Sequence, residues 1–239
     1  MKGPTRFRAR IGALVLLVAI ALLTAVPSAA HAKTRAGISF FGGFDNFTMT
    51  DVNETLIAPL NAYLGVSGYS LKEIKSGWGA GAGLRVRPST PLLIAIDYER
   101  LFARSDLTIF MQSFVIDTPA NAFTVTSTYL FPSSGNGRFG ISLGAGYYKS
   151  VGSVAVDTSG VATDTDLVGS GIGFHGLASF DDEISPNVHF EGSAGFRYAK
   201  TTDVKVDGET VRNADGSKAS IDWSGFMTRA GLTFYFGER

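Results

Sequence analysis

The 239-residue chain is expected to be all-β: an eight-stranded antiparallel transmembrane up-and-down β-barrel with short periplasmic turns and long external loops. Three observations predict it. Eight segments alternate bulky apolar side chains with small or polar ones, the two-residue period of a strand with two unlike faces. The gaps between them run long, short, middling, short, long, short, long, as in barrels whose periplasmic turns are short and external loops long. An export signal precedes them all.

That signal spans residues 1–32. Lys2, Arg6, Arg8 and Arg10 form a basic region, and an uncharged, largely apolar run of 16 residues follows from Ile11 to Val26. Ala30-His31-Ala32 is a small-x-small cleavage site, so the mature chain is expected to be residues 33–239. The run is shorter than the roughly 20 apolar residues of a membrane-spanning helix. No later stretch approaches that length.

Strand one, about 36–47, turns Ile38, Phe40 and Phe44 outward and Ser39, Gly43 and Asp45 inward. After a long connection, strand two (about 73–87) alternates Trp78, Ala80, Ala82, Leu84 and Val86 with Gly77, Gly79, Gly81, Gly83 and Arg85. The turn Pro88-Ser89-Thr90-Pro91 leads to strand three, about 91–103, with Leu92, Ile94, Ile96 and Tyr98 outward. Strand four, about 120–131, alternates Phe123, Val125 and Tyr129 with Thr124, Thr126 and Thr128. Pro132 to Gly137 is rich in turn residues. Strand five, about 138–149, has the clearest alternation: Phe139, Ile141, Leu143, Ala145 and Tyr147 on one face. A polar connection at about 153–168 precedes strand six, about 169–181, with Ile172, Phe174, Ala178 and Phe180 outward. Strand seven, about 187–200, sets Val188, Phe190, Ala194, Phe196 and Tyr198 against His189, Glu191, Ser193 and Arg197. Strand eight, about 220–236, follows a polar connection and ends in Leu232, Phe234 and Phe236.

Charge decides which face is which. Arg85, Asp97, Glu99, His175, His189, Glu191, Arg197 and Arg229 share the small-residue face. Glycine beside charge suits a cramped polar lumen, with the bulky face in lipid. Cleavage removes four of the 21 basic residues and none of the 21 acidic ones, leaving a net charge of −4. That argues against a nucleic-acid partner, which needs a basic footprint. The chain has no cysteine, so thiolate metal sites and cysteine nucleophiles are excluded.

Taken together, the signal, the eight strands and the aromatic end of strand eight resemble the small outer-membrane β-barrel proteins of the OmpA/OmpX and opacity-protein type. The resemblance covers nearly all of residues 33–236. The family's closing strand carries an insertion signal ending in an aromatic residue. Phe226, Thr228, Ala230, Leu232, Phe234 and Phe236 match it, and Gly237-Glu238-Arg239 departs from it. The resemblance implies localisation to the cell outer membrane. It also implies two partners: outer-membrane lipid and lipopolysaccharide, and the barrel-insertion machinery acting on the last strand. No wall-binding domain is expected after residue 236.

Two groups are candidate sites. Arg85, Arg87, Asp97, Glu99, Glu191, Arg197 and Arg229 are expected to meet as a lumen charge network, a plug of paired ions. Leu56, Leu60, Tyr63, Phe110, Met111 and Phe114 form a candidate apolar mouth in the first two external connections. That mouth is expected to be covered by packing of the two loops, or else to dock a small hydrophobic ligand, loosely like barrels of the OmpW kind. A short helix from Thr50 or Asp51 to about Leu64, disturbed by Pro59, is expected in the first loop. Phe47, Trp78, Tyr129, Phe131, Tyr147, Phe180, Trp223 and Phe236 are candidates for interfacial girdles. Trp223 has inward parity, which places it above the membrane level or beside a bulge.

Catalysis has little support. His175 and His189 face inward on neighbouring strands, but no serine stands near either in a hydrolase pattern; Ser179 and Ser193 carry no supporting signature. The acidic residues Asp157, Asp164, Asp166, Asp207, Glu209 and Asp215 lack calcium-loop spacing. The expected function is therefore non-enzymatic, structural or surface-interacting, with no cofactor and no metal. The alternatives are a narrow conduit or binder for small hydrophobic solutes, and a lipid-active hydrolase.

Overall fold

The computed structural model describes residues 34–236 apart from 90, 110–111, 159–160, 207 and 214. The export signal, Phe110, Met111, Asp207 and the Gly237-Glu238-Arg239 extension lie outside the described residues. In chain order the strands are β1 (Arg35–Asn46), β2 (Ser76–Ser89), β3 (Leu92–Phe102), β4 (Arg104–Ile109), β5 (Gln112–Asp117) and β6 (Ala120–Leu130). Then come β7 (Gly137–Thr158), β8 (Val161–Ser185), β9 (Val188–Val206), β10 (Glu209–Thr210), β11 (Ile221–Asp222) and β12 (Gly225–Phe236).

Eight of these close a ring in the order β1, β2, β3, β6, β7, β8, β9, β12 and back to β1, with every neighbour antiparallel. Closure leaves the ring without an edge, so its backbone donors and acceptors are satisfied inside the wall. The alternation places the faces as the sequence predicts. Phe139, Leu143 and Phe196 are 68%, 67% and 68% exposed, members of a continuous apolar belt around the outside. A belt of that kind is a surface made for hydrocarbon. Trp78, Tyr129, Phe131, Tyr147 and Phe236 are exposed aromatics at its margins.

Beyond the ring the chain differs from a set of open loops. The segment at 153–168, expected to be a polar connection, instead continues β7 and β8 as one hairpin paired from Gly137↔Asp182 to Thr158↔Val161. The second connection is also a hairpin, β4 with β5, and β5 pairs with the extension of β7. Composition concealed this: outside the membrane a strand needs only one modest apolar face, and the Ser/Thr/Asp residues occupy the other.

The first connection is helical in three pieces: an α-turn at Thr50–Val52, a π-helical turn at Asn53–Ile57 and an α-helix at Ala58–Gly65. Pro59 sits at the start of the last piece, where a missing N–H is tolerated. The expected side-chain cap is absent. Met49 holds the N-cap with a φ of 44°, and Asp51 instead accepts from the Ser220 backbone N–H at 2.8 Å and its Oγ at 2.6 Å.

Strand eight is likewise broken: β11 stops at Asp222 and β12 starts at Gly225. Gly225 has a φ of 156°, and a Cβ there would lie 2.0 Å from the Asn46 carbonyl oxygen, so only glycine lets the chains approach this closely. The break swings Trp223 into the barrel mouth. Trp223 and Phe47 are therefore buried, not members of a lipid-facing girdle.

Candidate functional site

The lumen is built in tiers, because successive inward positions on each strand are two residues apart. In the lowest tier, Arg87 on β2 donates through Nη2 to both oxygens of Asp181 on β8, each at 3.0 Å. His189 Nδ1 lies 3.0 Å from Asp181 Oδ1, and its ring meets Tyr235 edge-on at 4.8 Å between centroids. In the middle tier, Arg85 donates to Asp97 at 2.5 Å and to Glu191 at 2.9 Å. Thr233 Oγ1 donates to the other Glu191 oxygen at 2.7 Å. In the upper tier, Glu99 on β3 receives Arg197 at 2.8 Å and Arg229 at 2.5 and 3.2 Å. Asp45 lies 3.4 Å from Arg197.

Ring order shows what these pairs do. β2 and β8 are four strands apart in a ring of eight, as are β3 and β9. Arg87–Asp181 and Arg197–Glu99 are thus diametric ties across the lumen. Six of the seven network residues predicted from parity are linked here, Arg85 with Asp97 and Glu191, Arg197 and Arg229 with Glu99, and Arg229 near Asp97; Arg87 stands apart from them, paired with Asp181. Sequence reasoning left out of that network Asp45, Asp181 and His189, although all three have inward parity. Asp181 and Asp182 are adjacent acids near a strand end, and the alternation of β8 carried to that end turns Asp181 inward, where it is buried.

Small residues make room for this. A Cβ on Gly83 would fall 1.9 Å from Asp97 Oδ1 and 2.8 Å from Arg85 Nη1, inside the ion pair. Above Asp181, the wall formed by β6, β7 and β8 is lined by hydroxyls and His175. Thr128 and Ser142 hydroxyls are 2.6 Å apart, Ser142 and Ser179 hydroxyls 2.5 Å, and His175 Nε2 lies 2.9 Å from Thr126 Oγ1. Between this wall and the ion pairs is a cavity of about 70 Å3, room for a handful of waters.

Above the charges the lumen is greasy. Met49, Leu101, Tyr148 and Trp223 are fully buried there. Trp223 donates from Nε1 to Ser150 Oγ at 3.0 Å, tying the β12 side of the mouth to β7. Its ring meets Phe47 edge-on at 5.0 Å. This layer is continuous with the cap: the same apolar core takes in Val52, Ile57 and Leu64 from the helical segment, Phe114 and Ile116 from β5, Leu167 and Val204 from the extended strands, and Ile221 from β11. Of the candidate mouth residues, Phe114 lies inside this core and Leu56 and Leu60 lean against it. Tyr63 is exposed and takes no part.

Hydrolytic chemistry would need a hydroxyl, an imidazole and an acid in line. Here those parts are divided between two histidines. Among the described residues, His175 has a hydroxyl partner but its buried Nδ1 meets no hydrogen-bonding group, and His189 has an acid but its buried Nε2 meets none. Among the described residues no group of three or more His, Asp or Glu could hold a metal ion.

No family model and no curated protein matches the sequence. Solved structures do. A major outer membrane protein from Thermus thermophilus aligns over 86% of this chain and 100% of its own, with a TM-score of 0.51 and 11% identity. The outer membrane protein OprG from Pseudomonas aeruginosa aligns over 86% and 95%, at 0.46 and 10%. Neisserial surface protein A aligns over 85% and 96%, at 0.40 and 14%. At such identities the likeness concerns the fold, which is that of the small outer-membrane β-barrels.

Proposed function

We propose that this chain is a non-conducting, non-enzymatic protein of the cell outer membrane, with a structural or surface-interaction role in which the barrel holds an ordered external cap. The observation that carries the reading is the pair of diametric ion ties under a fully buried apolar layer. Moving an ion through would require breaking buried, hydrogen-bonded pairs, and a charge left unpaired in such a site costs several kcal/mol. The apolar belt and the fold support placement in the outer membrane. The divided histidines weigh against a hydrolase, and the aromatic end of β12 supports handling by the barrel-insertion machinery.

Planar-bilayer recording on purified, refolded protein tests this. The expected trace is flat, with at most brief, irregular events. Steady ohmic steps at moderate voltage would overturn the sealed-lumen reading and favour a conduit.

A further inference from the structure

The outer wall carries a cationic row that neither the lumen nor the cap uses. Arg100 on β3, Asn121 on β6 and Lys149 on β7 are register partners: Arg100↔Asn121 and Asn121↔Lys149. All three have the parity of the lipid-facing side chains. Arg100 and Lys149 are exposed and Asn121 is half-buried. One step toward the membrane centre on the same face, the register partners are Tyr98, Phe123 and Tyr147, and the next are Ile96, Val125 and Ala145. The row therefore lies at the loop end of the barrel, just beyond an aromatic girdle, at headgroup depth.

Each member is left with donors facing outward. Among the described residues, neither Arg100 nor Lys149 has an ion-pair partner. The Arg100 guanidinium lies over the Phe102 ring, 5.6 Å from its centroid, which keeps it against the wall. Tyr98 Oη donates to Asn121 Oδ1 at 2.7 Å, so the Asn121 amide nitrogen is the end left for an outside acceptor. Adjacent strands are about 4.8 Å apart, which puts the Arg100 and Lys149 backbones about 10 Å apart. Two long side chains at that spacing can converge on one phosphate with Asn121 between them.

We propose that Arg100, Asn121 and Lys149 form a wall site for the phosphate of an acylated, phosphorylated glycolipid of the lipid A type, whose chains lie along Tyr98, Phe123 and Tyr147. Charge complementarity selects an anion, and continuity with the apolar belt selects one that carries hydrocarbon. The site rests on the membrane placement proposed above.

The test refolds the full chain into phosphatidylcholine vesicles containing bisphosphorylated lipid A. It measures lipid A retained on the protein after detergent extraction, beside a heat-modifiability gel that reports the folded barrel. Arg100→Gln and Lys149→Gln should each lower retention roughly fivefold, and the double variant by more than about twentyfold, with the barrel still folded. Lys75→Gln, in an exposed loop and paired with Glu73, should leave it unchanged. Dephosphorylated lipid A should be retained as poorly as by the double variant, and excess inorganic phosphate should not displace the lipid. Full retention by a folded double variant, equal retention of the dephosphorylated lipid, or displacement by inorganic phosphate would each overturn the site and leave the barrel reading standing. A chain that never inserts would overturn both.

Discussion

Glu99 shows at the scale of one residue how this lumen is held. It is a buried carboxylate that receives two guanidiniums, Arg197 from the opposite wall and Arg229 from β12. Glu99→Gln would leave two buried cations with Asp45 and a distant Asp97 as their remaining acids; the Arg229–Asp97 separation is already 4.0 Å. The expected cost is about 3–5 kcal/mol, read as a lower denaturant midpoint of the detergent-folded barrel. Arg104→Gln breaks a pair with Asp106 in which both side chains are more than half exposed, and should cost at most about 1 kcal/mol. Equal effects of the two variants would contradict an ion network shielded from bulk solvent. Much of this was legible in the sequence, because parity alone sends Arg85, Asp97, Glu99, Glu191, Arg197 and Arg229 to one face. The pairing was not. Which acid meets which arginine depends on how far around the ring and how far along the strands two positions stand.

At the scale of elements, the cap is held on the barrel by a shared apolar core and by a polar anchor. Asp51 fastens the helical segment to Ser220, more than 150 residues away. Burial works against its charge, but the Ser220 hydroxyl and backbone N–H, helped by Asn213 and Lys200, outweigh that and hold the carboxyl below its ordinary value. A depressed value in the folded state means the anchor is complete above the ordinary carboxylate value of 3.8. It is lost as pH falls through the lower, folded value. Proteolysis between residues 50 and 72 should therefore rise at acid pH while the barrel stays heat-modifiable. Asp51→Asn should raise cleavage at neutral pH and flatten this dependence; an unchanged profile would remove the anchor. Sequence reading located this helix but not its fastening, since Thr50 and Asp51 have the composition of an N-cap. The β7–β8 extension was hidden for a related reason. Polar residues on the water side of a strand look like a loop until Val154 and Val156 are seen packed against the cap core.

For the whole molecule, the surface is the argument. Leu143 is two-thirds exposed and in water could become arginine at little cost. Facing hydrocarbon near mid-barrel, Leu143→Arg should cost about 2–4 kcal/mol in lipid vesicles. Urea titration of vesicle-folded protein reads the difference, and a change within about 0.5 kcal/mol would contradict the lipid-facing assignment. The eight ring strands, their two faces and the inward charges followed from the sequence alone, because a two-residue period is a local property of the chain. The diametric ties, the break that turns Trp223 into the mouth, the cap built on extended strands and the cationic row on the wall were decided only by tertiary structure. Each depends on register between strands distant in sequence, and closure of the ring fixes that register for all eight strands at once.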